Sequence, residues 1–292
     1  MRISIVTLNY NGSKETLKLL KSLQEQSDKN FEIIVIDNAS EEADFAVLQN
    51  GINQLIHITT SHVVMIRNSE NLGFSGGNNV GIRQAIENGS DWVTFLNNDT
   101  WVEREFMERL KAVLGVKNGV VGIPLIEGDK VAYCGKVQWL KPTLEHAYQL
   151  TNLPAYQLYA IGGAMAVHRD VFDKIGFLDE KYFLYFEDAD FSIRARKAKI
   201  PISIFYDSLI YHNISSSTKK LGLPLLLRYH YRNALYFNWK NGPFYIKLLV
   251  WPWSLVIAIK QISKLASKYN VDQSKAILVG VMDFYKNKYG KI

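Results

Sequence analysis

The first 125 residues alternate short apolar runs with helical stripes, and this alternation restricts the possible folds more than any other feature. Strand-like runs occur at residues 3–8, 31–36, 63–66 and 92–96, and helical patterns at 76–88 and 103–114. A parallel strand needs a long crossover before its neighbour, which is usually a helix. The alternation therefore predicts an α/β fold, with a parallel sheet covered by helices on both faces.

The composition describes a globular protein large enough for one large domain, with or without an appendage. Of its 292 residues, 48% are hydrophobic and 21% are charged, which excludes a disordered or fibrous chain. A single cysteine, Cys134, excludes a disulfide framework and a cysteine-rich zinc site. The N-terminus enters a strand pattern directly, without the apolar stretch of a signal peptide, so we expect a cytoplasmic protein.

The net charge of +6 and a pI near 9.1 favour an anionic partner. Nucleic acid, phospholipid and a phosphorylated substrate all meet that description, and a solvated basic face accounts for the charge equally well. No sequence motif of nucleic-acid-binding proteins is present, so we expect no nucleic-acid partner.

The rest of the chain divides into an irregular region and a helical one. Residues 126–159 carry short alternating pieces typical of a mixed sheet, and the paired glycines of the strand-like run 160–167 permit a close approach of ligand or backbone. A helix is expected at 187–198 and short strands at 202–205 and 209–212. Beyond residue 222 the pattern is helical, so we place a domain boundary there, with residues 223–292 as a C-terminal helical region.

Residues 244–265 are strongly apolar and contain the run LLVWPWSLVIAI. That run is shorter than the roughly 20 residues that span a bilayer. Lysines and tryptophans flank or interrupt it, as in helices that lie at a membrane interface. A helix packed into the core, or a dimer contact, accounts for the same pattern.

Acids follow two of the strand-like runs, where ligands gather in α/β proteins. Asp37 follows the second run and could accept from a nucleobase imide or a ribose hydroxyl. Asp99, in WVTFLNNDT, could hold a divalent cation that binds a diphosphate. His212, at the end of LIYH, could complete such a site. Each position also has a plain structural interpretation, as a turn, a helix cap or a packed histidine.

Residues 71–82, NLGFSGGNNVGI, form a glycine-rich turn that leads into a helix. Backbone N–H groups at a helix N-terminus favour phosphate or another polar ligand. The fingerprints of dinucleotide-binding and P-loop proteins are absent, and a tight structural turn accounts for the pattern equally well.

Three acids open a predicted helix within the aromatic segment YFEDADF, residues 185–191. The helix dipole favours acids there, which is a sufficient structural reason for them. Apolar neighbours also raise the pKa of a carboxyl group, as a general base near neutral pH requires. Asp190 lies four residues before Arg194, so we expect these two to pair on the helix surface. Glu187 and Asp188 remain as the freer acids.

Five motifs in order carry a resemblance to a known family: IVTLNYN, IDNAS, NLGFSGGNN, LNNDT, and FLYFEDADFSIRARKA followed by His212. Over roughly residues 1–240 the chain resembles the inverting, GT-A fold glycosyltransferases of family 2, and especially their rhamnosyltransferase-like branch. The resemblance implies a GT-A catalytic domain over 1–222. Within it, 1–125 is a Rossmann-like nucleotide-binding half with helices on both faces, and 126–222 an acceptor-binding half with a mixed sheet. C-terminal helices follow.

The resemblance also implies roles for individual residues. Asp188 corresponds to the catalytic base, with Glu187 supporting it, and Asp99 and His212 to ligands of a divalent cation, Mn²⁺ or Mg²⁺. Arg232 in YHYRNAL resembles a basic residue near the donor phosphates or the acceptor. The residues expected to contact the nucleotide or the donor are Thr7, Asn9, Asp37, Asn71, Gly73, Asn97 and Asn98.

One position departs from the family pattern. Asn97 stands where the family's DXD motif has its first aspartate. An amide can coordinate through its carbonyl but brings no charge, so the sequence leaves strict metal dependence open.

The expected activity is transfer of a sugar from a nucleoside-diphosphate sugar, dTDP-rhamnose or a UDP-hexose. The expected acceptor is a hydroxyl of a growing, lipid-linked cell-surface glycan at the inner face of the cytoplasmic membrane. Two alternatives stay open at this point. A sugar-nucleotide-forming nucleotidyltransferase would carry a basic glycine-rich loop after the first strand, where NYNG stands instead. A non-enzymatic, basic membrane-binding module is the other, and oligomerisation is compatible with each of the three.

Overall fold

The structure is a computed structural model that describes residues 1–56, 62–149, 158–212 and 222–292. Its strands are β1 (Ile3–Asn9), β2 (Glu32–Asp37), β3 (His62–Arg67), β4 (Trp92–Leu96), β5 (Thr100–Val102), β6 (Val120–Gly122), β7 (Leu125–Glu127), β8 (Lys130–Ala132), β9 (Cys134–Lys136), β10 (Glu145–Ala147), β11 (Leu158–Tyr159), β12 (Ala164–His168), β13 (Ile202–Ile204) and β14 (Ile210–His212). Its helices are α1 (Ser13–Gln24), α2 (Glu42–Ile56), α3 (Gly73–Glu87), α4 (Phe106–Leu114), α5 (Arg169–Ile175), α6 (Glu187–Lys197), α7 (Leu223–Asn241), α8 (Phe244–Ala266) and α9 (Val271–Tyr285).

The central sheet has seven strands in the order β13-β6-β12-β4-β1-β2-β3. Strands β4, β1, β2 and β3 are parallel, whereas β12 runs antiparallel between β4 and β6. Each of the four strands expected in the first 125 residues is present within one residue of its predicted ends. The predicted α/β fold with a parallel sheet is therefore confirmed.

Helices cover both faces of this sheet, as the alternation predicted. On one face, side chains of α1, α2 and α4 pack on β1 and β2 around Ile5, Leu20 and Leu110. On the other face, α3, α5 and α6 pack around Ile34 and Phe191. The strands are buried from both sides, which accounts for their nearly continuous apolar sequences.

A smaller mixed sheet follows in the order β5-β14-β7-β8, with β14 antiparallel to β5 and parallel to β7. This sheet confirms the mixed β region expected after residue 125, of which residues 150–157 lie outside the described ranges. Strands β12 and β13 nevertheless join the central sheet, so both sequence halves build it. The division at 125, like the boundary at 222, stays a prediction.

The C-terminal helices pack on the α/β body through α7, which contacts α6 and is covered by α9. The chain breaks between α7 and α8 at Asn241-Gly242-Pro243, as predicted, whereas α9 was not foreseen. Helix α8 has 23 residues and is long and apolar enough, by these two criteria alone, to cross a membrane. The helix is longer than the twelve-residue apolar run in the sequence, because the regular helix continues on both sides of that run.

Candidate active site

An asparagine, an aspartate and an arginine come together at the carboxyl ends of β1, β2 and β3. Asn9 donates from Nδ2 to Asp37 Oδ1 over 2.9 Å, and Arg67 Nε lies 3.3 Å from Asp37 Oδ2. The strand register sets this row, because Asp37 pairs with Asn9 on one side and Arg67 on the other. Thr7 lies two residues earlier on β1, with a buried hydroxyl that has no partner among the described residues. Arg67 was not selected from the sequence.

The glycine-rich turn before α3 is held tightly and joins a second loop. Asn71 Oδ1 accepts from Gly73 N (2.8 Å) and from Asn38 Nδ2 (2.9 Å). Gly73 has a φ of +73°, and a Cβ there would lie 2.4 Å from the carbonyl oxygen of Phe183, so glycine is required. The next residue, Phe74, donates its N–H to that same oxygen. The turn is thereby fixed against the loop that precedes α6.

The LNNDT motif at the end of β4 sends its side chains in different directions. Asn98 is buried and donates to Thr16 Oγ1 of α1 over 3.1 Å, which ties the motif to the core. Asn97 packs against Gly163, where a Cβ would lie 2.3 Å from its side-chain nitrogen. Asp99 turns towards β14. Asn98 thus anchors the motif to α1, whereas Asn97 faces Gly163 and Asp99 faces β14.

Strand pairing places His212 between Asp99 and a second acid. In the register of β14, His212 lies opposite Thr100 of β5 and Glu127 of β7. Its Nε2 is 3.3 Å from Asp99 Oδ1, and its Nδ1 is 3.7 Å from Glu127 Oε1. Burial lowers the pKa of a histidine, but the carboxylates of Asp99 and Glu127 outweigh it and raise the pKa of His212 to about 9.

Glu127 links this pair to His146 and Tyr148. Its carboxylate also lies 3.0 Å from His146 Nδ1 and accepts from Tyr148 over 2.9 Å. The imidazoles of His146 and His212 lower the pKa of Glu127 against the effect of burial. Neither Glu127 nor His146 was selected, because they lie in the irregular region without a motif around them.

Asp99 and His212 are two residues that could hold a divalent cation. Asp99 Oδ1 and both imidazole nitrogens are buried, and their contacts with each other and with Glu127 are ion pairs without the geometry of a hydrogen bond. Buried polar atoms without a hydrogen bond are rare in folded proteins, so these atoms are candidates for binding a ligand. Across the described ranges no group of three or more His, Cys, Asp or Glu side chains could hold a metal. A two-residue site suits Mg²⁺ or Mn²⁺ when substrate phosphates supply further ligands.

The paired glycines before β12 bring Asp188 beside the LNNDT motif. Gly162 N donates to Asp188 Oδ2 over 3.0 Å, and Ala189 N donates to Oδ1 over 2.7 Å. A Cβ at Gly162 would lie 3.0 Å from Asp188 Cβ, while Gly163 packs on Asn97. The close approach predicted for these glycines is confirmed, and it joins α6 to the end of β4.

Glu187 and Asp188 differ in environment, although they are adjacent. Burial, and then the negative charge of Asp188, raise the pKa of Glu187 well above its usual value. Burial also raises the pKa of Asp188, but the N–H groups of Gly162 and Ala189 oppose that rise by stabilising the carboxylate. Like charges this close cannot both ionise freely. The N–H groups of Gly162 and Ala189 therefore favour the negative charge on Asp188 over a charge on Glu187.

The structure corrects two expectations about charged residues. Arg232 is fully buried, and all five of its N–H groups donate within the protein, so none remains for a donor phosphate or an acceptor. Its acceptors are Asn233 Oδ1 and the carbonyl oxygens of Lys181, Tyr182, Lys288 and Gly290.

The second correction concerns Asp190. The predicted pair with Arg194 exists at 2.7 Å. However, the Asp190 side chain lies inside the protein, not on the helix surface, and it also accepts from Tyr182 and Asn241.

Comparison with known proteins agrees with this geometry. A similar relative is the dTDP-rhamnosyl transferase RfbF of Shigella flexneri, 25% identical over 249 residues, which are 82% of this chain and 80% of the relative. Among solved structures, S. aureus TarS 1–349 in complex with UDP-GlcNAc superposes with a TM-score of 0.58 at 14% identity, covering 100% of this chain and 93% of that one. GalNAc-T7 with UDP, GalNAc and Mn²⁺ superposes with a TM-score of 0.62 at 16% identity, covering 83% and 49%.

The architecture is that of the GT-A fold. The model of the glycosyl transferase family 2 matches residues 4–176. The chain belongs to that family and is a glycosyltransferase, similar to the rhamnosyltransferase RfbF. Family membership removes the nucleotidyltransferase and the non-enzymatic module from consideration.

The raised pKa of Glu187 makes stability depend on pH. Above about pH 4.3 the unfolded chain releases this proton while the folded protein keeps it, so the wild type loses stability as pH rises. Glu187→Gln removes this loss, because its side chain does not titrate. We expect the urea midpoint of the variant, relative to the wild type, to increase from about pH 5 to about pH 8.

The matched control is Glu87→Gln, at an exposed position in α3. Its difference from the wild type is expected to stay constant over the same range. A constant difference for Glu187→Gln as well would show that Glu187 ionises normally in the folded protein.

Proposed function

We propose that the enzyme transfers rhamnose from dTDP-rhamnose to a glycan hydroxyl, with inversion at the anomeric carbon. The observation that carries this proposal is the glycine pair that brings the carboxylate of Asp188 beside the LNNDT motif. The name of the relative RfbF supports dTDP-rhamnose as donor. A UDP-hexose is the second candidate, supported by the UDP ligands of the two solved neighbours.

The donor lies, in this proposal, across the carboxyl ends of β1, β2 and β4. The residues that contact it are Thr7, Asn9, Asp37, Asn71, Gly73 and Asn97, whereas the predicted contact Asn98 anchors the LNNDT motif to α1. Support comes from the position of these side chains at one sheet edge, which is where α/β enzymes bind nucleotides. The unpartnered hydroxyl of Thr7 is a free donor or acceptor there.

Asp188 acts as the general base. Its carboxylate takes the proton of the acceptor hydroxyl while that oxygen forms a bond to the anomeric carbon, and the bond to the diphosphate breaks on the opposite side. A single displacement of this kind inverts the configuration. The N–H groups of Gly162 and Ala189 hold the carboxylate in place, and the neutral Glu187 adds no second negative charge beside it.

Asp99 and His212 are the residues that would hold Mn²⁺ or Mg²⁺. Such a cation stabilises the negative charge on the leaving diphosphate. Their unpartnered buried atoms support this assignment, as does the Mn²⁺ in the solved neighbour GalNAc-T7. Asn97 contributes no charge, so these two residues supply the protein part of the site.

The role of Asp188 is tested by Asp188→Asn, which keeps the shape of the side chain but removes the base. A general base contributes a factor of about 10² to 10⁴, so we expect kcat to fall by that factor while the affinity for dTDP-rhamnose is retained. Asp173→Asn, at an exposed position in α5, is the control. Equal losses of donor binding and turnover would refute the assignment.

The metal site is tested by counting the protons that are released when Mn²⁺ binds. The carboxylates of Asp99 and Glu127 hold a proton on His212 up to about pH 9, and a metal ion must displace it. We expect about one proton to be released per Mn²⁺ bound near neutral pH, and affinity to increase with pH. Calorimetry in buffers of different ionisation enthalpy measures the number of protons.

His212→Gln is expected to weaken Mn²⁺ binding and to abolish the proton release, whereas His168→Gln, at the start of α5, leaves both unchanged. Binding of Mn²⁺ to the wild type without proton release would contradict a role for His212 as ligand.

The acceptor is, in this proposal, a lipid-linked glycan at the inner face of the cytoplasmic membrane, reached through residues 244–265. Helix α8 exposes a long apolar face. Its most exposed large side chains are Phe244, Tyr245, Leu248, Trp251, Leu255, Val256, Ile259 and Ile262. The helix carries Lys247, Lys260 and Lys264 but no acid. An apolar face of this size with only positive charge suits an anionic phospholipid surface.

Flotation with vesicles tests this face. We expect the wild type to float with vesicles that contain phosphatidylglycerol and less with pure phosphatidylcholine, and Leu255→Glu to remain with the soluble protein because it buries a charge in the lipid. Val116→Glu, at a position 81% exposed but far along the chain from α8, is the matched control. Equal flotation of the two variants, or a dimer that only Leu255→Glu dissociates, would contradict a membrane-binding role.

A further inference from the structure

The loop before α6 has an unusual backbone. Phe183, Tyr185 and Phe186 have φ angles of 64°, 71° and 75°. Side chains other than glycine rarely adopt this left-handed region, and such residues persist only where the surroundings hold them. Asp188 follows two residues after Phe186, at the second position of α6. The torsions of this loop therefore set the direction in which the base is presented.

Every carbonyl oxygen from Lys181 to Phe186 has a partner. That of Phe183 accepts from Phe74 of the glycine-rich turn, and that of Phe186 accepts from Asp190 within α6. The remaining four, at Lys181, Tyr182, Leu184 and Tyr185, accept from side chains of α7. The loop is thus fixed on the donor side by one bond and on the opposite side by α7.

Asn233 is at the centre of this contact. Its Nδ2 lies 2.9 Å from the carbonyl oxygen of Tyr182, 2.7 Å from that of Leu184 and 3.3 Å from that of Tyr185. Its Oδ1 accepts from Arg232 Nε over 2.8 Å. Only this orientation of the amide satisfies both ends, since carbonyl oxygens need a donor and a guanidinium needs an acceptor. Arg232 therefore fixes the amide, and the amide fixes the loop.

We propose that Asn233 is a positioning residue for Asp188, acting through the carbonyl groups of residues 182–185. It touches neither donor nor acceptor, and the inference rests on the proposed role of Asp188 as base. Without the amide donor, the half-buried carbonyls of Leu184 and Tyr185 lose their partner, while that of Tyr182 keeps Arg232, and the left-handed residues relax towards ordinary torsions. The first turn of α6 then moves away from Gly162 and from the donor.

Arg232 extends the same arrangement to the C-terminal residues. Its guanidinium joins the carbonyl oxygens of Lys181 and Tyr182 to those of Lys288 and Gly290. Gly290 N also donates to the carbonyl of Lys181 over 2.8 Å. The segment that follows α9 is thereby attached to the loop of the base, which gives the C-terminal helices a role in catalysis that is independent of any membrane contact.

The test replaces the amide by a carboxyl group of nearly the same shape. Asn233→Asp removes the N–H donors and sets an oxygen against the carbonyls. We expect kcat to fall about 100-fold with the KM for the donor changed less than about threefold, because misplacing a catalytic group by about 1 Å has an effect of this size. Hydrogen–deuterium exchange at residues 182–189 is expected to become faster.

The matched control is Asn238→Asp, five residues further along α7. Asn238 is also fully buried, but its Nδ2 donates to Ala234 O within the helix and its Oδ1 accepts from Leu140 N. We expect it to lower the thermal midpoint comparably while changing kcat less than about threefold. Asn233→Ser keeps one donor and gives an intermediate loss. It is measured in the same way if Asn233→Asp does not fold.

The proposal is overturned if the Asn233 and Asn238 variants of equal stability show the same kcat and the same exchange at 182–189. If the wild type transfers no sugar from any dTDP- or UDP-sugar, the proposed function fails instead. The exchange comparison then decides separately whether Asn233 holds the loop: faster exchange confined to 182–189 in the Asn233 variant supports this, and unchanged exchange refutes it.

Discussion

Two glycines at the start of β12 make contacts on which the whole site depends. Gly162 donates its N–H to the carboxylate of Asp188, and Gly163 leaves space for the side chain of Asn97. Asn97 N in turn donates to Gly163 O over 2.9 Å. The acid on α6 and the motif at the end of β4 are far apart in sequence, and this pair of peptide groups is where they meet. Any larger residue at either position would separate them.

The site contains one pair of oppositely charged residues and one pair of adjacent acids. Asp99 and His212 carry opposite charges in close contact, and both retain buried atoms without hydrogen-bond partners. Glu187 and Asp188 carry the same potential charge, so one of the two is kept neutral. Buried groups of this kind lower the stability of a protein, and they are typical of catalytic sites for that reason. The stability that they remove is supplied by the two apolar clusters on either face of the sheet.

The sequence was sufficient for the α/β fold, because apolar runs with the period of a strand alternate with helical stripes. It also predicted that Asp37 and Asp99 lie at strand ends and Asp188 at a helix start, as they do in the structure, while their roles stay predictions. It missed Glu127 because only the long-range pairing of β14 between β5 and β7 brings this residue to His212.

Arg232 illustrates that a sequence motif does not predict the direction in which each of its side chains points. The segment YHYRNAL predicted Arg232 near the donor phosphates or the acceptor, but neighbouring residues on a helix point about 100° apart and a motif does not reveal which face is buried. In the structure Arg232 donates hydrogen bonds to carbonyl groups. Its neighbour Asn233 donates to carbonyl groups of the loop before α6. Helix α9 was missed because nothing in its pattern marked it as separate from the helix before it.

The most direct test of the account is a crystal structure of the enzyme with Mn²⁺ and dTDP, with the metal located by anomalous scattering. The account predicts a manganese peak bound by Asp99 and His212, with the diphosphate of dTDP bound to that ion. It also predicts that the carboxylate of Asp188 faces the β-phosphate across the space in which the sugar of the donor would lie. A manganese ion bound elsewhere, or a nucleotide lying away from the ends of β1, β2 and β4, would contradict it.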